Sequence, residues 1–176
     1  MHDALLVHRL KAAGDLRWEP FMAGAEGVTS SEVDARVAAL TPDSIADLMF
    51  TSGTTGRPKG VMAAHGPTLR AFSEWSRVVG LSEGDRYLII NPFFHTFGYK
   101  AGILPSVLFG TTMVPLAVFS PDAAMRMIDE HKITVFPGAP TVFQTILDNP
   151  QRAGHDLSSL RLVVTGATVV PVVLIE

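Results

Sequence analysis

Between Asp47 and Gly60 the chain reads DLMFTSGTTGRPKG, which sets Thr51, Ser52, Thr54 and Thr55 among Gly53, Gly56 and Gly60 and adds Arg57 and Lys59. Glycines let a backbone approach a ligand closely, successive main-chain N–H groups can converge on an anion, and a lysine adds a mobile point charge. Each hydrogen bond to a charged group contributes about 1.5–3 kcal/mol, so three or four would hold a polyphosphate firmly. The loop fits an anion with many oxygens, most simply the phosphates of ATP. It is not a Walker A loop: counted from Gly53, Pro58 falls where that motif needs its second glycine, and no Ser or Thr follows Lys59.

A second stretch, NPFFHTFGYKAG, runs from Asn91 to Gly102 and gathers Phe93, Phe94, Phe97 and Tyr99 around His95. It follows a strand-like run, and ligands in α/β folds bind beyond the carboxyl ends of strands. A third, FPGAPTVFQTIL, places the small-residue turn Gly138, Ala139, Pro140 and Thr141 before an apolar helix, with Val142 and Gln144 just behind it, and a fourth, VVTGAT, ends a strand on Gly166 and Ala167.

These residues need a frame. Apolar spacing predicts a short helix over 3–13, an irregular Gly-rich segment over 18–29, a helix over 31–40 capped by Ser30 or Ser31, and a strand over 45–50 leading into the hydroxyl loop. An amphipathic helix over 67–79 buries Leu69, Phe72, Trp75 and Val79 and stops at Gly80. Strands at 86–90, 111–115, 133–136 and 160–165 alternate with helices at 102–109, 121–132 (Ser120 as cap, Pro121 at the first helical position) and 140–147. Several strands are continuous apolar runs. That combination predicts an α/β fold, a layered and mostly parallel sheet flanked by helices.

The string FTSGTTGRPKG resembles the phosphate-loop signature of the adenylate-forming superfamily, which includes acyl-CoA synthetases, luciferases and the adenylation domains of peptide synthetases; the similarity extends over nearly all of 43–176. The resemblance implies activation of a carboxylic acid by ATP to an acyl-adenylate, with Mg²⁺ on the departing pyrophosphate, then transfer of the acyl group to a thiol such as coenzyme A. It assigns Thr51, Ser52, Gly53, Thr54, Thr55, Gly56 and Lys59 to the phosphates. It makes His95 a catalytic and pocket-shaping residue and puts Phe97, Gly138, Ala139, Thr141, Gly166 and Ala167 around the acyl group; Thr168 is larger than the family's usual residue. Amino-acid-activating members place an Asp at the aromatic turn, whereas 91–104 here contains no Asp or Glu. Burying a substrate ammonium without a counter-charge is costly, so the acid is expected to be fatty, steroid-derived or aryl.

The remaining features bound the reading. The chain has 176 residues, 47% hydrophobic and 18% charged, with a net charge of −3 and no cysteine. No basic stripe predicts nucleic-acid binding, and the absence of cysteine removes disulfides and thiolate metal sites. No His pair has metal-ligand spacing, so no protein-held metal is expected. The uncharged run 101–121 is broken by Pro105, Gly110 and Pro115 and is not read as a membrane span. GLSEG (80–84) matches G-x-S-x-G, yet the helix precedes and the strand follows Ser82, the reverse of a nucleophile elbow. A cytoplasmic location is expected. By comparison with complete family members, 1–42 reads as a lead-in and 43–176 as an incomplete slice of the large N-terminal domain, without the adenine- and ribose-binding segments or the small C-terminal domain with its lysine. Exposed apolar faces would then favour self-association, and the slice alone would be inactive. Two alternatives stay open: a phosphate-binding but non-catalytic module, and an adenylating enzyme with a carrier-protein or luciferase-like acceptor.

Overall fold

The computed structural model describes residues 18–51, 58–166 and 168–174, and the chain divides into two compact units between Thr41 and Pro42. In the first unit, α1 (Trp18–Ala23) occupies part of the segment expected to be irregular. Trp18 and Phe21 stack there one turn apart, with ring centroids 6.0 Å from each other. Helix α2 (Ser30–Ala38) is capped by Thr29 rather than by a serine. Glu32 explains the choice: Thr29 Oγ1 accepts from the Glu32 N–H at 3.3 Å while the Glu32 carboxylate accepts from the Thr29 N–H at 2.8 Å, a reciprocal capping box. The helix expected over 3–13 lies outside the described residues.

The second unit begins with a hairpin. Strand β1 (Ile45–Thr51) pairs antiparallel with β2 (Lys59–Ala64), and its closing pair is Thr51 opposite Lys59. Strand β2 gives little signal in sequence, because KGVMAA carries three glycine or alanine positions in place of branched apolar ones. Helix α3 (His65–Val79) follows directly and ends where Gly80 takes a left-handed conformation, φ 75°.

The central sheet holds β3 (Arg86–Ile89), β4 (Thr112–Pro115), β5 (Val135–Gly138) and β6 (Leu162–Thr165), all parallel, in the order β4-β3-β5-β6. Between β3 and β4 the chain forms a π-helical segment, Phe97–Ile103, that continues into α4 (Leu104–Phe109). Helices α5 (Pro121–His131) and α6 (Pro140–Leu147) complete the alternation. Ser120 Oγ accepts from the Ala123 N–H at 3.1 Å, the cap that Pro121 announces.

Period-two alternation divides the strands between two cores. Leu88 and Phe136 pack with Met125, Ile128, Phe143 and Ile146 on the α5/α6 side. Tyr87, Ile89 and Val135 pack with Leu81 and, more loosely, Trp75, Val79 and Phe109 on the α3/α4 side. Each such side chain contributes about 1.5–3 kcal/mol on burial, so the sheet is held from both faces. Tyr87 is the polar exception. Its hydroxyl donates to the Ala101 carbonyl at 2.6 Å, tying the π-helical segment to β3, and burial pushes the phenol pKa up. Tyr87→Phe should leave that buried carbonyl unpaired and cost about 1–3 kcal/mol, read as a shift in urea midpoint without a change in slope.

At the amino-terminal edge of the sheet one carboxylate joins three strands. Asp85 accepts from Ser82 N–H at 2.9 Å, Thr134 Oγ1 at 2.7 Å and Arg161 Nε at 2.8 Å, with a further close contact from Arg161 Nη2. Thr134 Oγ1 in turn accepts from the Arg86 N–H at 2.9 Å. Burial alone would raise the Asp85 pKa, but the hydrogen bonds from Arg161, Thr134 and Ser82 outweigh it and hold it at about 2. Ser82 therefore serves this turn, its hydroxyl 3.1 Å from the same carboxylate. Among the described residues no helix is long and apolar enough to cross a membrane.

Candidate active site

The opposite edge of the sheet is open. A cleft of about 330 Å³ lies beyond the carboxyl ends of β3, β5 and β6. Asn91, His95 and Phe97 line it after β3, Gly138 and Ala139 at the end of β5, Val164, Thr165 and Gly166 at the end of β6, and Trp75 reaches in from α3. Five residues picked out from sequence, His95, Phe97, Gly138, Ala139 and Gly166, thus share one wall. Thr141 does not. It is an exposed residue on the first turn of α6, outside this lining. Gln144 is turned to Asp148, with its amide 3.0 Å from the carboxylate.

Local geometry explains how His95 is presented. Its N–H donates to the Pro92 carbonyl at 2.9 Å, closing the turn. Its Nδ1 accepts from the Phe97 N–H at 3.1 Å. With Nδ1 acting as acceptor, the neutral ring carries its hydrogen on Nε2. The nitrogen left for a ligand is a donor, the polarity a carboxylate requires. Phe97 meets Trp75 edge-to-face, with centroids 6.4 Å apart at 84°. Phe93 and Phe94 turn outward, 48% and 85% exposed, so the aromatic bulk expected around the imidazole comes from Phe97 and Trp75 instead.

Gly98 makes the turn compact. A β-carbon there would stand 2.3 Å from the Pro92 carbonyl oxygen and 2.4 Å from that of Asn91. Gly138 is tight to a lesser degree, its added β-carbon meeting Val142 and Phe143 at 3.3 Å, whereas one at Gly166 would meet nothing within 4 Å. Residues given no role from sequence also line the cleft. Trp75 reads in sequence only as the inner face of a helix, Asn91 only as the first residue of the aromatic turn, and Thr165 only as a strand end. Thr165 Oγ1 is buried and has no hydrogen-bond partner among the described residues.

A second cavity, of about 410 Å³, adjoins His95 from the hairpin side. Asp47, Met49 and Thr51, alternate residues of β1, line it together with Phe94, Thr96 and Lys100. Lys100 Nζ lies 3.1 Å from Asp47 Oδ2, and both side chains are buried. Among the described residues, Asp47 is the one acidic residue lining either cavity, and Lys100 stands beside it as counter-charge. Lys59, the first residue of β2, is exposed beside the hydroxyl loop. The loop residues Ser52, Gly53, Thr54, Thr55 and Gly56 lie outside the described residues, as does Ala167. No cluster of three or more His, Asp or Glu able to hold a metal ion occurs among the described residues.

The family model for AMP-binding enzymes matches residues 4–176. The chain belongs to this family. A propanoyl:CoA ligase of Rhodococcus jostii, whose acyl group bears a methyl-dioxo-octahydroindenyl ring, is 53% identical over 163 residues, 93% of this chain and 32% of its own. The enzyme of the same description from Mycobacterium tuberculosis is 51% identical over 164 residues, again 93% of this chain and 32% of its own. The chain thus spans about a third of the length of these relatives. Among solved structures, o-succinylbenzoate CoA synthetase from Bacillus subtilis in complex with ATP and a magnesium ion superimposes with a TM-score of 0.68 at 32% identity, over 77% of this chain and 28% of the other. The layered sheet with helices on both faces is the architecture of the family.

Proposed function

We propose that this AMP-binding chain contributes the phosphate loop and acyl wall of an acid–thiol ligase, which activates a carboxylic acid with ATP and passes the acyl group to coenzyme A. The cleft carries the reading: His95 Nε2, Trp75, Phe97, Gly138 and Gly166 enclose a largely apolar space at the carboxyl ends of parallel strands. With Asp47 paired to Lys100, no carboxylate among the described lining residues is left to receive a substrate ammonium, which favours a plain acid over an amino acid. The ring-bearing propanoyl group of the two most similar relatives reported above favours a cyclic or steroid-derived acid over a straight chain.

In this reading His95 Nε2 donates to the acid's carboxylate and orients it. Phe97 and Trp75 exclude water. Thr51, the loop residues 52–56 and Lys59 hold the β- and γ-phosphates. Magnesium carried on the triphosphate would neutralise charge as pyrophosphate departs. Gly166 and Ala167 set the depth of the pocket. ATP and coenzyme A as co-substrates make the location cytoplasmic. Residues 43–176 act as one part of a larger adenylating domain. Taken alone, the exposed hairpin residues Leu48, Phe50 and Met62 would favour self-association.

Exchange of labelled pyrophosphate into ATP tests the proposal, with steroid-derived, aryl and fatty acids offered to a protein of the relatives' full length that contains these residues. Exchange that depends on a cyclic acid is the expected result, with no turnover by the 176-residue chain alone. His95→Ala should lower exchange about 100-fold. ATP binding without exchange for any acid would favour a non-catalytic phosphate-binding module, and transfer to a carrier protein in preference to coenzyme A would change the acceptor.

A further inference from the structure

Asp47 and Lys100 have no part in the chemistry above, yet they form the buried ion pair between the two halves of the site. Asp47 belongs to the strand that leads into the hydroxyl loop; Lys100 belongs to the helical segment that begins two residues after His95. Their side chains are 15% and 9% exposed. The contact is charge without alignment: Lys100 Nζ is 3.1 Å from Oδ2, but neither Asp47 oxygen receives a hydrogen bond of good geometry. A buried pair of this kind is a poor source of stability, because desolvation offsets much of the attraction and an apolar pair of similar volume often does as well. What it supplies is a fixed distance. A further side-chain contact crosses at the same place, from Thr96 Oγ1 to Met49 Sδ at 3.4 Å, two residues along β1 toward Thr51. Asp47, Met49 and Thr51 share one face of β1, so both contacts grip the side that ends at the first loop hydroxyl.

We propose that Asp47 and Lys100 are a positioning pair, which sets the spacing between the phosphate loop and the turn bearing His95 and so brings the α-phosphate within reach of the bound carboxylate. The proposal rests on the adenylating reading of the site. It separates two quantities that a purely structural role would keep together. Lys100→Met alone leaves a buried carboxylate without its counter-charge and should destabilise the protein. The double variant Asp47→Leu, Lys100→Met removes both charges and should recover stability. A strut of two flexible apolar side chains does not define a distance, so the rate should remain low. A displacement of about 1 Å at reacting atoms lowers rates on the order of 100-fold.

The test measures pyrophosphate exchange and urea stability of both variants in the full-length protein. It adds hydrogen exchange of the 45–51 and 95–103 segments in the same samples. Expected for the double variant are near-normal stability, a kcat about 100-fold lower, KM values for ATP and acid within about threefold, and faster hydrogen exchange in both segments. Recovery of the full rate together with stability would overturn the pair's role, as would deprotection confined to one segment. A wild-type protein that catalyses no exchange at all would overturn the ligase reading instead, and hydrogen exchange would still decide whether the pair couples the two segments.

Discussion

Gly98→Ala should lower stability by about 3 kcal/mol or more and remove about 99% of any adenylating activity. The reason is contact with backbone rather than with a side chain able to rotate away. The new methyl would sit 2.3 Å and 2.4 Å from two carbonyl oxygens of 91–92, and no change of rotamer relieves that. The turn must open, and the hydrogen bonds that define it include those from His95 N–H to Pro92 and from Phe97 N–H to His95 Nδ1. Losing the second frees the ring to rotate and removes the preference for Nε2–H. Gly154→Ala is the control, because a β-carbon there meets nothing within 4 Å. Urea unfolding of the two variants side by side measures the first effect, and exchange assays the second. A Gly98→Ala protein of normal stability and rate would show that the turn is not as closely packed as the contacts state.

Asp85→Asn should cost about 3 kcal/mol at neutral pH, the low end for breaking a buried ion pair, because Arg161 keeps part of its guanidinium in water. The carboxylate accepts from Ser82, Thr134 and Arg161 at once, so its loss loosens the turn before β3 and the starts of β5 and β6 together. The pH dependence follows from the direction of the shift. The folded pKa is about 2, below the ordinary 3.8. The stabilisation is therefore complete above about pH 4 and is lost as pH falls through 2. Urea midpoints of wild type and variant should differ widely at pH 7 and converge between pH 4 and pH 2. A gap that stays constant over that range would mean Asp85 contributes by shape rather than by charge.

Much of the frame was legible in the sequence because its signals are local. Short runs rich in apolar residues at 86–90, 111–115 and 133–136, bounded by polar or turn residues, marked strands, and helices cover the sheet on both faces although most of β4 at its edge stays exposed. Gly80 and the Ser120–Pro121 pair marked helix ends by backbone conformation and capping, which need no knowledge of tertiary neighbours. What was not legible depended on distance. Strand β2 is held by its register with β1, from Met49 opposite Val61 to Thr51 opposite Lys59, not by its own small residues. The π-helical turn of 97–103 breaks the 3.6-residue period on which helix reading relies. Trp75 gave the signature of an ordinary core face, and its place in the cleft depends on the turn that brings Phe97 against it. Asp47 and Lys100 lie on segments distant in the chain, and no local pattern couples a residue on one to a residue on the other. Thr141 stands apart from the cleft lining for a related reason: it follows Gly138 and Ala139 closely in sequence but falls, exposed, on the first turn of α6.

The two edges of the sheet are built from different materials. At one, a carboxylate, a guanidinium and two hydroxyls knot the strands together; at the other, glycines and an imidazole held by one main-chain hydrogen bond leave room. Mechanical integrity and chemical selectivity thus occupy separate addresses about one strand length apart. Natural drift or deliberate engineering could recarve the mouth for a bulkier or slimmer cargo while the root of the scaffold stays untouched.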